Sequence, residues 1–358
     1  MDFDYTDDQR HIREEAHRFL ASAAPLSSVR RVLESPSERF DRTLWDRIAE
    51  QGWLGTTIPE NYGGLGLGPV ELGAIAEGIG ASLAAIPFGS TLYLFAQALL
   101  ANGSPAQRSE HLPRIASGQL IGCTALFADP GGGCEVRQNR ISGAMQPVVD
   151  GTIADYAIVQ AREDGEPCLF LAPLDGSVMR CPLEAIDGSL DVARLEFRET
   201  PVERLPGGGP DAVDRLLAAA AVLYGFEQIG GADRCLALTV DYAKQRTAFG
   251  ALIGRFQAVK HRLADIYVSN QLSRSHVYHG AWALEQAPAR LIEAAAGARV
   301  AASEAYWLAA KEMIHLHGAI GFTWEHDAHL FYRRAHHLSL ALGNSQAWKE
   351  RLIQDLAS

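Results

Sequence analysis

Long alanine-rich segments fill the chain from residue 211 onward, and they constrain the fold more than any other feature. The two longest are LLAAAAVLYGFEQIGGADRCLALTVDYAKQR and LIEAAAGARVAASEAYWLAAKEMIHLHG. Alanine is the strongest helix former, and the first segment carries Gly230 and Gly231, which allow another helix to approach closely. Between them, GRFQAVKHRLADIYV has apolar residues at helical spacing, namely Val259, Leu263, Ile266 and Tyr267. We therefore predict a four-helix-bundle domain over residues 211–358.

The amino-terminal region, residues 1–119, is also predicted to be helical. Thr6 and Gln9 have the spacing of a capping box, and a helical apolar stripe follows at Ile12, Ala16, Phe19 and Leu20. Further helices are predicted around LWDRIAEQGW and VELGAIAEGIGASLAAIP, separated by the loop IPENYGGLGLGP. The uncharged stretch 80–107 is interrupted by Pro87 and Gly103. A membrane span needs about 20 mostly apolar residues, so we expect a buried helix there.

The middle region, residues 120–210, has a sequence pattern different from that of the two helical regions. CTALF, YAIVQAR, CLFLAPL and ARLEFRE are short β-like runs separated by Gly, Pro and Asp clusters, and PGGGP at 206–210 reads as a closing linker. Helices, then strands, then helices indicate an α+β protein. We expect three domains, 1–119, 120–210 and 211–358, the middle one a β-barrel or sandwich.

Composition narrows the function. The chain of 358 residues is 47% hydrophobic and 21% charged, as in ordinary globular proteins, with a formal net charge of -11. An acidic chain is a poor nucleic-acid binder, so an anionic ligand would have to be met by a few placed arginines. The start, MDFDYTDDQR, lacks the basic and apolar pattern of a signal peptide. Five cysteines without a CxxC pair favour reduced thiols and a cytoplasmic location.

Two other motif interpretations are weaker. GGLGLG and DPGGG do not have the GxGxxG spacing of a dinucleotide-binding fold. A histidine-rich stretch near the carboxyl end, His315, His317, His326, His329, His336 and His337, could be imagined as a metal site. We expect these histidines to be partly exposed or core residues instead.

Two segments of the helical region resemble signature sequences of the acyl-CoA dehydrogenase family. RTAFGALIGRFQAVKHRLAD, from Arg246, resembles the family pattern RxxFGxxIxxxQ, and HLHGAIGFTWEHDAHLFYRRA, from His315, resembles QxxGGxGxxxE. IPENYGGLGLG and DPGGG extend the resemblance over essentially the whole chain. The family has the same helix–sheet–helix order, which adds to the resemblance.

The resemblance implies a flavin chemistry. Family members remove an α-proton from an acyl-CoA thioester with a glutamate base while the β-carbon gives hydride to FAD. The family places this base 21 residues after the last glycine of its glycine motif, which is Leu342 here, or 26 residues before the arginine, which is Ala220 here. Neither side chain accepts a proton. Glu227 is seven residues beyond Ala220, about 10 Å along a helix, which is too far for direct abstraction.

The flavin end of the family's site is also altered. The family's TEPGAGSD reads ADPGGGCE from Ala128 to Glu135, and its WIT segment reads Pro147, Val148 and Val149. The resemblance therefore implies that the residues contacting the flavin ring have been lost together with the base.

The other half of the family's cofactor site is better kept. Arg246 matches the arginine that reaches the FAD pyrophosphate of a neighbouring subunit, a task suited to a forked guanidinium. By resemblance, the cofactor-binding residues are Arg246, Phe249, Gly250, Gln257, His315, Gly318 and Ala319. Of these, His315 replaces a family glutamine and Ala319 a glycine.

This division resembles the non-catalytic subunits of α2β2 heteromeric acyl-CoA dehydrogenases, in particular those of steroid side-chain β-oxidation. It implies an oxidoreductase subunit that completes the FAD site of a paralogous partner bearing the glutamate. An acyl-CoA substrate and electron-transfer flavoprotein as acceptor are implied with it. Two alternatives stay open: a self-sufficient dehydrogenase with a relocated base, and a non-enzymatic oligomerisation or acyl-CoA-binding protein on this fold.

Overall fold

The computed structural model describes residues 5–35, 37–128 and 130–357. Its helices are α1 Asp7–Ala23, α2 Leu26–Glu34, α3 Arg42–Glu50, α4 Pro69–Ser82, α5 Ala96–Asn102, α6 Pro105–Ala116, α7 Ala212–Gln245, α8 Gln257–Gln286, α9 Leu291–His317, α10 Ala328–Leu340 and α11 Ser345–Ala357. Its strands are β1 Gly122–Ala125, β2 Cys134–Arg137, β3 Arg140–Val149, β4 Tyr156–Glu163, β5 Glu166–Pro173, β6 Val178–Pro182, β7 Val192–Pro201, β8 Glu203–Arg204, β9 Thr247–Ala248 and β10 Ala251–Leu252.

The described residues form two compact units. One contains the residues up to 27, residues 69–84 and residues from 221 onward, and is helical apart from the β9–β10 hairpin. The other contains residues 28–68 and 85–220 and includes the whole of the large sheet. The predicted α+β order of helices, strands and helices is confirmed.

The sheet unit is built on eight strands in the order β6-β7-β3-β2-β4-β5-β8, with β1 paired to β4. It is a mixed sheet, because β1 and β2 run parallel to β4 while the other pairs are antiparallel. All four strands predicted from sequence are present, as β1, β4, β5 and β7. The buried runs of β4 and β5 explain why apolar composition found them.

Strands β2, β3 and β6 are not predicted from the sequence, and the reason is physical. β3 contains Gly143 and Pro147, and its register with β7 shifts at two places. A bulged strand loses the strict alternation of inward and outward side chains, so its burial pattern is irregular. β2 and β6 are four and five residues long and, unlike the equally short β1, they are not continuous buried apolar runs.

In the helical unit, the capping box predicted at the start of α1 is formed, with Gln9 N donating to Thr6 Oγ1 at 3.3 Å. The prediction for the apolar stripe of α8 is only partly correct. Ile266 is buried, but Tyr267 is 56% exposed. It lies on the outer side of α8, where Val268 and Leu272 are also exposed.

The uncharged stretch 80–107 is mostly buried but is not one helix. α4 ends at Ser82, and a π-helix at Gly89–Phe95 leads into α5. Pro87 precedes the π-helix, and proline disfavours helical geometry in the residue before it. No helix in the described part of the chain is long and apolar enough to cross a membrane.

Candidate functional site

The segment RTAFG forms a tight hairpin between α7 and α8. β9 and β10 are joined by Phe249 and Gly250, both with positive φ, 53° and 77°. Two positive φ values in a two-residue loop give the turn that fits the twist of paired strands. Glycine adopts this conformation freely, whereas phenylalanine is strained in it. The strained Phe249 is 97% exposed, so the hairpin presents an aromatic ring to its surroundings.

Arg246 lies at the base of this hairpin. Its backbone N–H donates to Tyr242 O at 2.8 Å, and its carbonyl accepts from Ile253 N at 2.8 Å. Its side chain is exposed and makes no hydrogen bond or ion pair with any residue that the structure describes. Gln257, the first residue of α8, is exposed as well. The backbone is fixed while the guanidinium is left available for an external anion.

The glycine motif follows the end of α9. His315 is exposed in the last turn, and Gly318 caps the helix at φ 66° and ψ −144°, which favours glycine. Ala319 is exposed in the short 3-10 turn Gly318–Phe322. At Gly321 a Cβ would come within 2.7 Å of Ile314 O. Only that last glycine is required by packing.

Two residues that the sequence analysis passed over join these motifs. Tyr242 and His317 stack with ring centroids 4.2 Å apart, and the Tyr242 hydroxyl donates to His317 O at 3.4 Å. Since Tyr242 O also accepts from Arg246 N, this tyrosine ties the arginine hairpin to the glycine motif. Burial lowers the pKa of His317, so the stacked ring is neutral near pH 7. The available signal was the i,i+4 spacing of Tyr242 and Arg246.

Leu342 occupies the turn between α10 and α11. Its side chain is 4% exposed, and its carbonyl accepts the indole N–H of the buried Trp348 at 3.0 Å. Arg299, also buried, donates to Leu338 O in the last turn of α10. Burial lowers the pKa of Arg299 to about 10, so it remains charged at neutral pH. The turn is thus rigidly held and presents an apolar side chain.

Ala220 and Glu227 lie on α7. Ala220 is fully buried. Glu227 is 5% exposed, and Arg334 Nη1 lies 3.5 Å from its Oε1. Arg334 is itself 1% exposed and also donates to Leu83 O at 3.4 Å. Glu227 thus forms an ion pair with a guanidinium that is buried as well, and breaking such a pair is costly.

The middle region of the chain contains a cavity of about 510 Å³ in the sheet unit. Five residues of the segment 128–135, which is compared with the family's TEPGAGSD, line the cavity, namely Ala128, Gly132, Gly133, Cys134 and Glu135. Pro147 and Val149 do not line it. Its remaining lining includes Leu126, Phe127, Met145, Gln160 and Arg162. Asp129 lies outside the described residues.

At the positions compared with the family's flavin contacts, the side chains offer few hydrogen-bond donors. Ala128 contributes only a methyl group. Cys134 is 3% exposed, and burial raises the pKa of its thiol to about 12, so it stays protonated. Pro147, in β3 and outside the cavity lining, has no backbone N–H. These positions offer little to the polar edge of a flavin ring.

The histidine-rich stretch forms ring stacks. The ring centroids of His317 and His326 lie 4.6 Å apart. Trp324 stacks on His329 with ring centroids 4.7 Å apart. His326 Nδ1 accepts from Ala328 N at 3.1 Å, at the start of α10. In the described ranges, no three His, Cys, Asp or Glu side chains are grouped so as to hold a metal ion.

Comparison with known proteins covers most of the chain. The model of the acyl-CoA dehydrogenase N-terminal domain matches residues 6–119, and that of the acyl-CoA dehydrogenase C-terminal domain matches residues 207–356. The acyl-CoA dehydrogenase IpdE2 of Mycobacterium tuberculosis is 37% identical over 92% of this chain and 91% of its own length.

Two solved structures are similar over nearly their full length. One chain of the ChsE4–ChsE5 complex from Mycobacterium tuberculosis superposes on this chain with a TM-score of 0.93 at 29% identity. The match covers 100% of this chain and 99% of that chain. A chain of the structure of the Tcur3481–Tcur3483 steroid ACAD, G363A variant, superposes with a TM-score of 0.90 at 29% identity, and the match covers 98% of this chain and 98% of that chain.

Proposed function

We infer that this chain, which belongs to the acyl-CoA dehydrogenase family of FAD-dependent oxidoreductases, is the non-catalytic subunit of a heteromeric member. In this role it completes the FAD site of a paralogous partner that carries the glutamate base. The complex desaturates an acyl-CoA thioester between the α and β carbons. The three-domain division 1–119, 120–210 and 211–358 is part of the same proposal, as is a cytoplasmic location.

The observation that carries this proposal is the state of the base positions. Leu342 and Ala220 are buried apolar side chains, and neither accepts a proton. Glu227 is paired with the buried Arg334. A general base needs a carboxylate within hydrogen-bond reach of its proton and free to accept it. None of these three positions supplies one.

The fit to FAD differs between the two ends of the cofactor. The exposed Arg246 guanidinium suits a pyrophosphate, which it can contact through paired N–H donors. Phe249, Gly250, Gln257, His315, Gly318 and Ala319 are the proposed neighbours of that contact. At the ring end, Ala128, Cys134 and Pro147 do not fit. We therefore assign the chain an FAD-phosphate contact in the partner's site and no redox step of its own.

The compared proteins support a heteromeric assembly and a bulky substrate. One similar structure is of a complex of two named chains and another is of a steroid ACAD, each at 29% identity. We extend both properties to this chain: a paralogous partner, in an α2β2 arrangement, and a sterol-derived acyl-CoA substrate. Electron-transfer flavoprotein is the proposed acceptor.

Co-expression with a paralogue from the same organism that carries the glutamate tests the proposal. Flavin absorbance per chain and turnover with an artificial electron acceptor are measured for the chain alone and for the complex. We expect little flavin and no turnover alone, and half a flavin per chain with turnover in the complex. Stoichiometric flavin and turnover in the chain alone would show a relocated base. Flavin absent from every complex would leave a binding or oligomerisation protein.

A further inference from the structure

Helices α7 and α9 lie side by side and run in the same direction. Gln228 Nε2 of α7 donates to Ser303 Oγ of α9 at 3.1 Å, and these two residues are 75 positions apart in the chain. One turn further along both helices, a Cβ at Gly231 would lie 2.4 Å from Cζ of the Tyr306 ring. The separation in sequence is again 75 residues. A constant separation means that the two helices are parallel and in register.

The same separation recurs at the stack of Tyr242 on His317. Both residues lie in the last turn of their helices, because α7 ends at Gln245 and α9 ends at His317. The hairpin that begins at Arg246 follows α7 directly, and Gly318 caps α9. The register of the two helices therefore brings the two segments proposed to contact FAD to one end of the helical unit.

The hairpin is attached to the Tyr242 turn through backbone contacts. The Arg246 N–H donates to Tyr242 O at 2.8 Å. Beyond the hairpin, a Cβ at Gly254 would lie 2.9 Å from Ala243 O, so this segment packs on the backbone of α7. A displacement of the Tyr242 turn would therefore displace the hairpin and its guanidinium as well.

The glycine motif supplies a fixed surface for the Tyr242 ring. His317 is 5% exposed, and its Nδ1 lies 2.7 Å from Met313 O. A carbonyl only accepts hydrogen bonds, so Nδ1 carries the proton and donates it, which fixes the orientation of the imidazole. The His317 carbonyl in turn accepts from the Tyr242 hydroxyl at 3.4 Å. Tyr242 itself is only half-buried, so its position depends on this stack.

We propose that Tyr242 is a positioning residue for the FAD contact of Arg246. Its stack on His317 sets the distance between the Arg246 hairpin and the glycine motif, so that both segments reach one cofactor in the partner's site. The inference rests on the proposed function of Arg246. A guanidinium binds phosphate oxygens well only at hydrogen-bond distance and with its paired N–H groups aligned. Tyr242 thus acts through Arg246 and not by touching the cofactor.

The dissociation constant of FAD from the complex with the paralogous partner tests the proposal, measured from the fluorescence of FAD released on dilution. Tyr242→Leu removes the stack and should raise this constant by about threefold to tenfold, as expected for an aromatic pair. Tyr242→Phe keeps the ring and loses only a long hydroxyl hydrogen bond, so its constant should stay within about twofold of the native value.

A second variant and a matched control accompany these two. His317→Leu breaks the stack from the other helix and should weaken FAD binding as Tyr242→Leu does, and it gives the same test if the Tyr242→Leu complex does not assemble. Ser303→Ala removes a hydrogen bond between the same two helices, far from the hairpin. It should lower the thermal midpoint and leave the FAD dissociation constant unchanged.

A double-mutant cycle separates positioning from general stabilisation. When Arg246 is already alanine, Tyr242→Leu should change the FAD dissociation constant by less than about twofold, because no guanidinium remains to be placed. A merely structural tyrosine would weaken binding by the same factor in both backgrounds. That result, or native affinity in both Tyr242→Leu and His317→Leu while Arg246→Ala is weakened, would overturn the positioning role and leave the proposed function standing. Native affinity in Arg246→Ala would overturn the FAD contact and the positioning role together.

Discussion

Gly230 of α7 faces the backbone of Glu77 in α4 so closely that a Cβ at position 230 would lie 1.9 Å from Glu77 O. The contact is reciprocated three residues away on each helix, where a Cβ at Gly80 would lie 1.8 Å from Glu227 O. Two glycines thus let the helices meet backbone to backbone. This contact brings Glu77 and Glu227, both buried, into the interior of the helical unit.

Gly230→Ala should destabilise the chain despite alanine's higher helix propensity. The higher helix propensity of alanine stabilises the helix by about 1 kcal/mol. However, the new Cβ overlaps backbone atoms of α4, which cannot move away as a flexible side chain could. Overpacking typically costs about 1–3 kcal/mol, so a net loss is expected, with a lower thermal midpoint. Gly209→Ala is the control, because a Cβ there meets no atom within 4 Å. Equal midpoints for the two variants would contradict the close contact.

The helix approach at Gly230 was predictable, whereas its partner was not. Glycine pairs in an alanine-rich helix indicate a close neighbour, and long periodic segments such as α7 and α9 are visible from composition alone. Which helix fills the gap depends on contacts distant in sequence. The same limit applies to β3, whose bulges hide its period, and to Tyr267, which has a helical spacing but faces outward.

Glu77→Gln should be strongly destabilising and should alter the pH dependence of unfolding. The Glu77 carboxylate accepts from Tyr5 at 2.9 Å, Arg13 at 2.8 Å and Arg274 at 2.5 Å. Removing one charge from a buried pair costs about 3–5 kcal/mol. Urea unfolding at pH 7 measures this loss, with Glu71→Gln on the same helix as control.

The pH profile supplies a second measurement. Burial raises the pKa of Glu77, but Arg274 and Arg13 together lower it by more than burial raises it. The pKa of Glu77 in the folded chain is therefore below its usual value. Its stabilisation is therefore complete above the unfolded pKa of about 4.3 and is lost as pH falls through the folded pKa. The stability difference between native and Glu77→Gln chains should shrink in that acidic window. A constant difference from pH 7 to pH 3 would refute the charged pair.

Arg246→Ala should weaken FAD retention in the partner's site without unfolding the chain. The guanidinium is exposed and forms no hydrogen bond or ion pair with other described residues, so its loss breaks no polar interaction within the chain. A charged phosphate contact is worth about 1.5–3 kcal/mol, or roughly tenfold or more in affinity. Arg255→Ala, an exposed arginine just after the same hairpin, is the control. Equal FAD affinity in both mutant complexes would show that Arg246 is not a cofactor contact.

Glu227→Gln should leave the turnover of the complex nearly unchanged while lowering its stability. The pairing of Glu227 with Arg334 indicates a structural role, and the substitution removes one charge of a buried ion pair. Turnover per bound flavin and the thermal midpoint are measured together. A fall in turnover of a hundredfold or more, the size typical of a lost general base, would identify Glu227 as the relocated base.

The spacing of the acyl-CoA dehydrogenase family, counted from Gly321, predicts Leu342 at the position of the base. What holds that position was not visible, since Trp348 and Arg299 contact the α10–α11 turn through backbone carbonyls. Likewise, motif matching predicts a role for Arg246 but says nothing of Tyr242, whose ring stacks on that of His317. Sequence motifs record side chains that contact ligands, whereas the supporting contacts use general chemistry that many residues provide.

Leu342→Glu should not create a second active site in the complex, because a base is only one of the parts that a site needs. The new carboxylate would replace a side chain that is 4% exposed, and burial without a paired cation raises a carboxyl pKa and favours the neutral form. Ala128, Cys134 and Pro147 would still leave the flavin ring poorly held. Proton abstraction without a hydride acceptor in contact with the β-carbon gives no oxidation.

Leu342→Gln, with similar size and no charge, separates the effect of the carboxylate from that of lost packing. We expect both variants to keep the turnover and flavin content of the native complex, with a lower thermal midpoint for each. Doubled flavin and doubled turnover in Leu342→Glu alone would mean that this chain holds a flavin in its own site.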